Sequence, residues 1–456
     1  MKKTRLFAVV LAAVMLVALA SCGKTGDNDV TAPASTTAGI KTDAPTSPST
    51  TAPTSPATDA PKTDAPQTTE PAPETKAPAQ IDGVYQIGTV DDLIWLSAAG
   101  PRDGKYVLTA DIAFNPTDDV DKWTTENKPQ NTITPIGSSA APFTGSFNGA
   151  GHTISGLYVF GVGETGLFGY INGATIENLI IGKGLVCSYD SNIGSVVGVF
   201  NGEGNVIRGC VNYANVTGNA YVGGIAGKYN SSSTARLTIE NCANHGNVTA
   251  TKKSNALYVG GIIPAVVGVQ LKSCANFGTV SAGVVGDDSY AASGCAIIGG
   301  ITGVMSGSGG DASIIDCYNK GNVISCNSGA NNGTSAAAGI VGRMNAANGA
   351  ACTIKNCYST GNVYTLTADS KELSASCSTK SGDDYAENVY ASGKVLVWNT
   401  ETENKNATVP ACGAPEVSLG TGACDAMNLG TDAWSDASDN TPILKGIPAE
   451  HQISAS

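Results

Sequence analysis

One phrase recurs along this chain at the interval of a structural unit, and few folds accommodate it. It reads RGCVNYANVT at 208–217, ENCANHGNVT at 240–249, KSCANFGTVS at 272–281, IDCYNKGNVI at 315–324 and KNCYSTGNVY at 355–364. Aligned, the copies give Ile/Leu-x-x-Cys-x-Asn-x-Gly-x-Val. Their cysteines, Cys210, Cys242, Cys274, Cys317 and Cys357, are 32, 32, 43 and 40 residues apart. A degenerate copy, Ile176-Glu177-Asn178-Leu179, puts Leu179 at the cysteine position. A second phrase precedes each copy: GLFG at 166–169, SVVG at 195–198, GGIAG at 223–227, GGIIP at 260–264, GGITG at 299–303 and AGIVG at 338–342. Each unit therefore holds two or three short strands separated by Gly or Asn turns, as in a solenoid. The insertions that lengthen the later units fall mainly between the Gly-Asn-Val strand and the next Gly-Gly-Ile strand, on one rim.

Alternate side chains of a strand share a face. Cys, Asn, Gly and Val stand two residues apart and face the same way; the Ile three before Cys is out of phase, so a bend belongs between them. Equivalent residues of successive coils would form ladders: Cys as a small buried hydrophobe, and Asn212, Asn244, Asn276 and Asn319 bonding to the turn backbone and to the next coil. Ser359 and Ala214 are the departures expected of end repeats. The fold expected is all-β, a parallel β-helix of six or seven coils, roughly 30 Å long at ~4.8 Å per coil. The rival is an antiparallel sandwich, which the same-position cysteine column disfavours.

Residues 161–398 are read as the β-helix repeats and 81–160 as an N-terminal cap with the first strands. Within it, Thr89-Val90-Asp91-Asp92 before Leu93-Ile94-Trp95-Leu96 predicts a capping box and one short helix. Residues 399–456 are a C-terminal cap or tail, with Trp434 and Thr441–Leu444 closing the last coil.

The N-terminus points to export. Lys2, Lys3 and Arg5 precede an uncharged, mostly apolar run to Ala20, too short for a comfortable membrane span. The run ends Leu19-Ala20-Ser21-Cys22, which resembles the lipobox of bacterial lipoproteins. The resemblance implies that 1–21 is a signal peptide and that Cys22 carries the lipid. Acyl chains add roughly 0.8 kcal/mol per buried methylene and hold a protein on a membrane without a spanning helix. The segment to residue 80 is Thr, Pro, Ala, Ser and Asp. It has little apolar surface to offset ordering entropy, and reads as a disordered stalk. The expected location is the outer face of the bacterial membrane. The net charge is −12, with 26 basic and 38 acidic residues. That balance disfavours nucleic acid as a partner.

A family resemblance rests on Ile136-Gly137, FTGSFNGAGHTISGLYV at 143–159 and GLFGYINGATIENLIIGKG at 166–184, led in by YVLTADIAF at 106–114. These are similar to bacterial surface proteins carrying GLUG motifs, over about residues 84–365. The resemblance implies a right-handed parallel β-helix on secreted or anchored proteins, often assigned to adhesion. Some members lie within IgA-specific metallopeptidases. This chain has no His-Glu-x-x-His motif and only His152, His245 and His451, so that activity does not carry over.

Catalysis on a β-helix would need paired carboxylates, or calcium with a basic residue. The candidates are Asp118, Asp119 and Asp121, then Asp287-Asp288, then Asp383-Asp384. Adjacent acids in polar loops are more often solvated surface, and Asp119-x-Asp121 is a weak candidate for a cation. His152 reads as a structural hydrogen bond in a tight turn, and Arg208 as surface decoration. Cys412 and Cys424 are the candidates for a disulfide; the absence of Cys-x-x-Cys argues against thiolate metal sites. No cofactor is expected. Tyr213, Tyr318 and Tyr358 are expected to point outward on a common face and to offer a binding stripe, although tyrosine is also a plain strand former. The function expected is a non-catalytic adhesin or binding module for extracellular glycans or proteins. The alternatives are a polysaccharide lyase or hydrolase with its site on the rim loops, and a structural envelope protein.

Overall fold

The computed structural model describes residues 76–228, 235–251, 257–283, 296–325, 336–345, 351–365, 373–374, 377, 385–397, 423–438 and 441–452. The chain divides into Met1–Glu70 and Pro71–Ser456, and every described residue belongs to the second unit.

The fold is a parallel β-helix. Its first face stacks ten strands: Val84–Ile87, Lys105–Leu108, Ser146–Asn148, Thr175–Glu177, Asn205–Arg208, Leu237–Glu240, Val269–Lys272, Ala312–Ile315, Cys352–Ser359 and Tyr385–Ala391, each parallel to the next. Nine strand intervals make roughly 43 Å. The second face carries short strands such as Val211–Asn212, Ala243–Asn244 and Ala275–Asn276. The third runs from Leu157–Gly161 through Gly184–Ser188, Asn215–Gly218, Val248–Ala250, Val280–Ala282, Val323–Ser325 and Val363–Thr365 to Val395–Val397. Tyr221–Gly223, Leu257–Gly260, Ala296–Gly299 and Ala336–Ala338 form a fourth face. Ile263–Val267, Thr302–Ser306 and Val341–Asn345 form a fifth.

The stack is longer than the repeat implies. Three strands of 81–160, the stretch read as a cap with the first strands, are windings in register with the rest from Val84 onward. Stacking requires only backbone register and an inward apolar side chain. Here the inward residues are Tyr106, Phe143, Phe147 and Phe168, in contact as rings 4.8–6.1 Å apart. The Cys-Asn phrase is absent from these coils because aromatic rings fill their core instead.

The helix Val90–Ala98 opens with a capping box. The Asp92 amide donates to Thr89 Oγ1 at 3.1 Å, and the Thr89 amide donates to the Asp92 carboxylate at 3.0 Å. It buries Leu93, Trp95 and Leu96 against the core of the first windings. Gln80–Ile81 pairs antiparallel with Val84–Ile87, which blocks that exposed edge.

The bend between the first two faces falls one residue before the cysteine. Asn178, Gly209, Asn241, Ser273, Asp316, Asn356 and Asn388 all have φ of 52–60° there. Asn, Asp and Gly are the residues that tolerate this left-handed conformation. Two further columns explain the glycines. A Cβ on Gly278 would lie 2.0 Å from the Gly246 carbonyl oxygen, and one on Gly321 2.0 Å from that of Gly278. A Cβ on Gly261 would meet Asn276 Cγ at 2.3 Å, so the Gly-Gly-Ile phrase makes room for the Asn column. Ala214 is admitted where the corner beneath it differs: Ile181 pairs with Asn212 but Leu185 with Asn215, so four steps there match three.

Among the described residues, the C-terminal segment is not stacked on the last coil. The antiparallel pair Trp434–Asp436 and Pro442–Leu444 lies along the second face instead. It packs, with Met427, Leu429 and Ile447, on Val211, Ala243, Ala275, Tyr318 and Tyr358. These five residues each follow a ladder cysteine, so the segment is a strap crossing five windings.

Candidate binding faces

Inside the coil, the structure brings the Cys and Asn columns into line. Asn212 Nδ2 donates to Asn244 Oδ1, Asn244 to Asn276 and Asn276 to Asn319, each at 2.8 Å; Asn319 ends the row on Ser359 Oγ at 3.2 Å. Each Nδ2 also donates to the carbonyl two residues on, at 2.8–2.9 Å. All four side chains are fully buried. Every amide is satisfied within the row, so the column stabilises the stack and leaves nothing for a ligand. Cys210, Cys242, Cys274, Cys317 and Cys357 are buried free thiols. Burial pushes the Cys242 and Cys317 thiols well up, with their neighbouring thiols adding to it. Burial acts in the same sense on Cys274, where hydrogen bonds from Cys242 and Cys317 pull the other way and dominate.

The tyrosine stripe is not open to solvent. Tyr318 and Tyr358 are 0% and 1% exposed, stacked at 5.0 Å and covered by Trp434 at 5.8 and 5.5 Å. Tyr358 donates to the Pro442 carbonyl at 2.6 Å. Tyr213 continues a half-buried row in which Tyr213, His245 and Phe277 stack at 4.5 and 4.4 Å. The strap tip clamps it: Tyr213 Oη meets His451 Nδ1 at 2.8 Å, and His245 Nε2 meets the His451 carbonyl at 3.0 Å. The side chains point away from the coil core, but an apolar column of this length is covered by the chain's own C-terminus rather than left wet.

The ionisable candidates do not converge. Asp118, Asp119 and Asp121 are exposed, and Asp119 pairs with Lys122 at 2.6 Å. Among the described residues no group of three or more metal-ligating side chains occurs. His152 sits in its turn with Nδ1 3.2 Å from Asp111 Oδ1. Arg208 is exposed and pairs with Glu177 at 2.7 Å. It belongs to an outward column on the first face that runs Glu177, Arg208, Glu240, Lys272, Ile315, Lys355 and Glu387. Cys22, Asp287, Asp288, Asp383, Asp384 and Cys412 lie outside the described residues; Cys424 is a buried free thiol.

The third face carries what the sequence reading passed over. Residues on either side of its inward Val point outward. One column runs Asn215, Asn247, Thr279, Asn322 and Asn362; the other runs Thr217, Thr249, Ser281, Ile324 and Tyr364, of which Ser281 and Ile324 are buried. The amide of each following winding donates to the asparagine beneath it: Asn247 N to Asn215 Oδ1, Thr279 N to Asn247 Oδ1 and Asn362 N to Asn322 Oδ1, each at 3.1 Å. Ser281 Oγ donates to Thr249 Oγ1 at 3.1 Å. No acid or base stands in either column until Lys394. At the N-terminal end Trp123 packs over Tyr158 and Cys187, and beside them Phe160 and the 47%-exposed Tyr189 meet edge to face at 5.5 Å. The Asn-Val-Thr phrase was the available signal.

No family model matches the sequence. Halomucin of Haloquadratum walsbyi is 30% identical over 155 residues, which covers 33% of this chain. The chain spans only 2% of that protein's length. Among solved structures, a Bacteroides ovatus protein provisionally described as an immunoglobulin A1 protease is 18% identical, with a TM-score of 0.48. The match covers 79% of this chain and 92% of that one. A likeness at this level carries no argument about activity.

Proposed function

We propose that this protein is a non-catalytic binding module for extracellular glycans or proteins, held at the bacterial cell surface. The observation that supports it is the third face: an uncharged Asn/Thr column that stays partly exposed and repeats at the winding spacing over five strands. The GLFG and Ile-x-Asn-Leu phrases, similar to those of GLUG-motif surface proteins, point the same way. So does the lipobox-like Leu19–Cys22, which makes Cys22 the anchor and Lys24–Gln80 the stalk.

Incubating the full chain with a glycan array, then with the polysaccharides it retains, tests the reading. Retention without new reducing ends is the expected result. Release of oligosaccharides would make the protein an enzyme. For the anchor, Cys22→Ala should abolish metabolic labelling with a fatty-acid analogue; undiminished labelling would refute it.

A further inference from the structure

We infer that the third face is a lane for a neutral, extended polysaccharide lying along the helix axis. This rests on the binding-module reading above and names its ligand class and site.

Three observations carry it. The first is donor geometry. Asn215, Asn247 and Asn322 each have Oδ1 committed to the backbone amide of the next winding. Their orientation is therefore fixed, and each Nδ2, with no protein partner among the described residues, is turned outward. An array of preset donors loses little entropy when a ligand arrives. Beside it run the half-buried hydroxyls of Thr217 and Thr249, which both donate and accept. The row repeats at ~4.8 Å, comparable with one extended pyranose unit, so successive sugar hydroxyls meet equivalent groups on successive windings.

The second is charge. The chain carries 26 basic and 38 acidic residues, and the first face shows an outward column of them from Glu177 to Glu387. The two outward columns of the third face show none from Asn215 to Asn362, and the nearest cation at the N-terminal end is Lys128, 4.8 Å over the Phe160 ring. An uncharged lane on an acidic protein complements a neutral polymer. Along the columns themselves there is no cation to pair with a uronate, a sulfate or a phosphate on each successive unit.

The third is the end wall. Tyr189 stands at the N-terminal end of the lane, held by Thr125 Oγ1 at 2.5 Å from its hydroxyl and by Asn219 on its carbonyl. Its exposed ring is a stacking platform for the terminal sugar.

The test exploits the way the asparagines are held. Asn247→Asp with Asn322→Asp keeps the acceptor that each neighbouring amide needs, removes both donors and adds two charges. The control, Gln270→Glu, adds a charge on the exposed first face. Full-length proteins are compared by affinity electrophoresis in gels containing neutral β-glucan, mannan or polygalacturonate. We expect retardation by a neutral polymer, weakened at least ~tenfold in the double variant and unchanged in the control, with unfolding midpoints alike. Equal retardation of wild type and double variant would move the site elsewhere and leave the binding-module reading intact. Retardation by polygalacturonate alone would overturn the neutral assignment. Retardation by none of the three would sink this proposal, and a glycan array that is also blank would sink the glycan reading with it.

Discussion

Tyr318 Oη donates to Gln452 Oε1 at 3.0 Å, joining a ladder winding to a residue 134 positions later. The same oxygen accepts from the Leu444 amide at 2.6 Å, and Gln452 Nε2 donates to the Leu444 and Ile447 carbonyls at 2.7 and 2.6 Å. Gln452 is 2% exposed, so this single buried amide holds the strap's hairpin to its own tail and to the β-helix. In a solenoid each winding otherwise touches only its neighbours. The strap adds contacts across five of them. Gln452→Ala leaves several buried polar groups unmet, each costing ~1–3 kcal/mol. The expected outcome is faster hydrogen exchange at Tyr318 and Leu444, with the third face unaffected; unchanged exchange at both would contradict the assignment.

The interior columns give sharper stability expectations. Asn244→Ala removes a buried amide that donates two hydrogen bonds and accepts one from Asn212, and should cost on the order of 3 kcal/mol. Asn244→Asp should be no better, because it presents an acceptor to the Gly246 carbonyl and Asn276 Oδ1. Asn319→Ser should be milder, since Ser359 already ends the row. Gly278→Ala should exceed them all or prevent folding, with a Cβ 2.0 Å from the Gly246 carbonyl. Urea denaturation of the four variants orders them.

How far these features were legible in the sequence follows from what each depends on. The Cys, Asn and Gly columns could be read because a two-residue strand period and a fixed repeat expose them directly. The bend before Cys was readable as a phase break, and the left-handed Asn and Ser residues there are its physical form. The Cys-Asn repeat does not reach the early windings, because Tyr106, Phe143 and Phe147 fill the core without repeating the phrase; only the family resemblance over about 84–365 extends to them. Nor was the strap. Tyr318 and Tyr358 do face out of the coil, and nothing local tells an outward tyrosine that meets solvent from one that meets Trp434. Such pairing is a long-range event.

The strap tip should respond to pH. Burial lowers the His245 pKa below its ordinary 6.5, against the bond to the His451 carbonyl, which raises it. The groups facing it are the Tyr213 and Phe277 rings and His451, with Glu450 close to Tyr213. A folded-state pKa below the unfolded one means the stabilisation is complete above 6.5 and is lost as pH falls from there toward the folded value. Proteolysis at 441–452 should therefore quicken several-fold between pH 7.5 and 5. His245→Phe, which keeps the stack, should flatten that dependence; an unchanged dependence would assign it to another group.

The thiols should be inert in the folded protein. Only a thiolate that the reagent can reach reacts, and all five ladder thiols, Cys274 included, are fully buried. Burial raises Cys242 and Cys317 well up, Cys187 to about 11 and Cys424 to about 12. Iodoacetamide at pH 8 should label Cys210, Cys242, Cys274, Cys317 and Cys357 only at the rate of unfolding, as read by peptide mass mapping over increasing urea. Rapid labelling of Cys274 in the native protein would show an open core.

The claim beneath all of these is that equivalent residues of successive windings lie on one line. Arg208 and Lys355 share the outward column of the first face, four strands apart. With spin labels at Arg208→Cys and Lys355→Cys, a pulsed dipolar distance measurement should give one population centred near ~19 Å, the sum of four strand spacings, broadened by the label arms. A broad distribution, or one centred at a much longer separation, would contradict the stacked helix and every face derived from it.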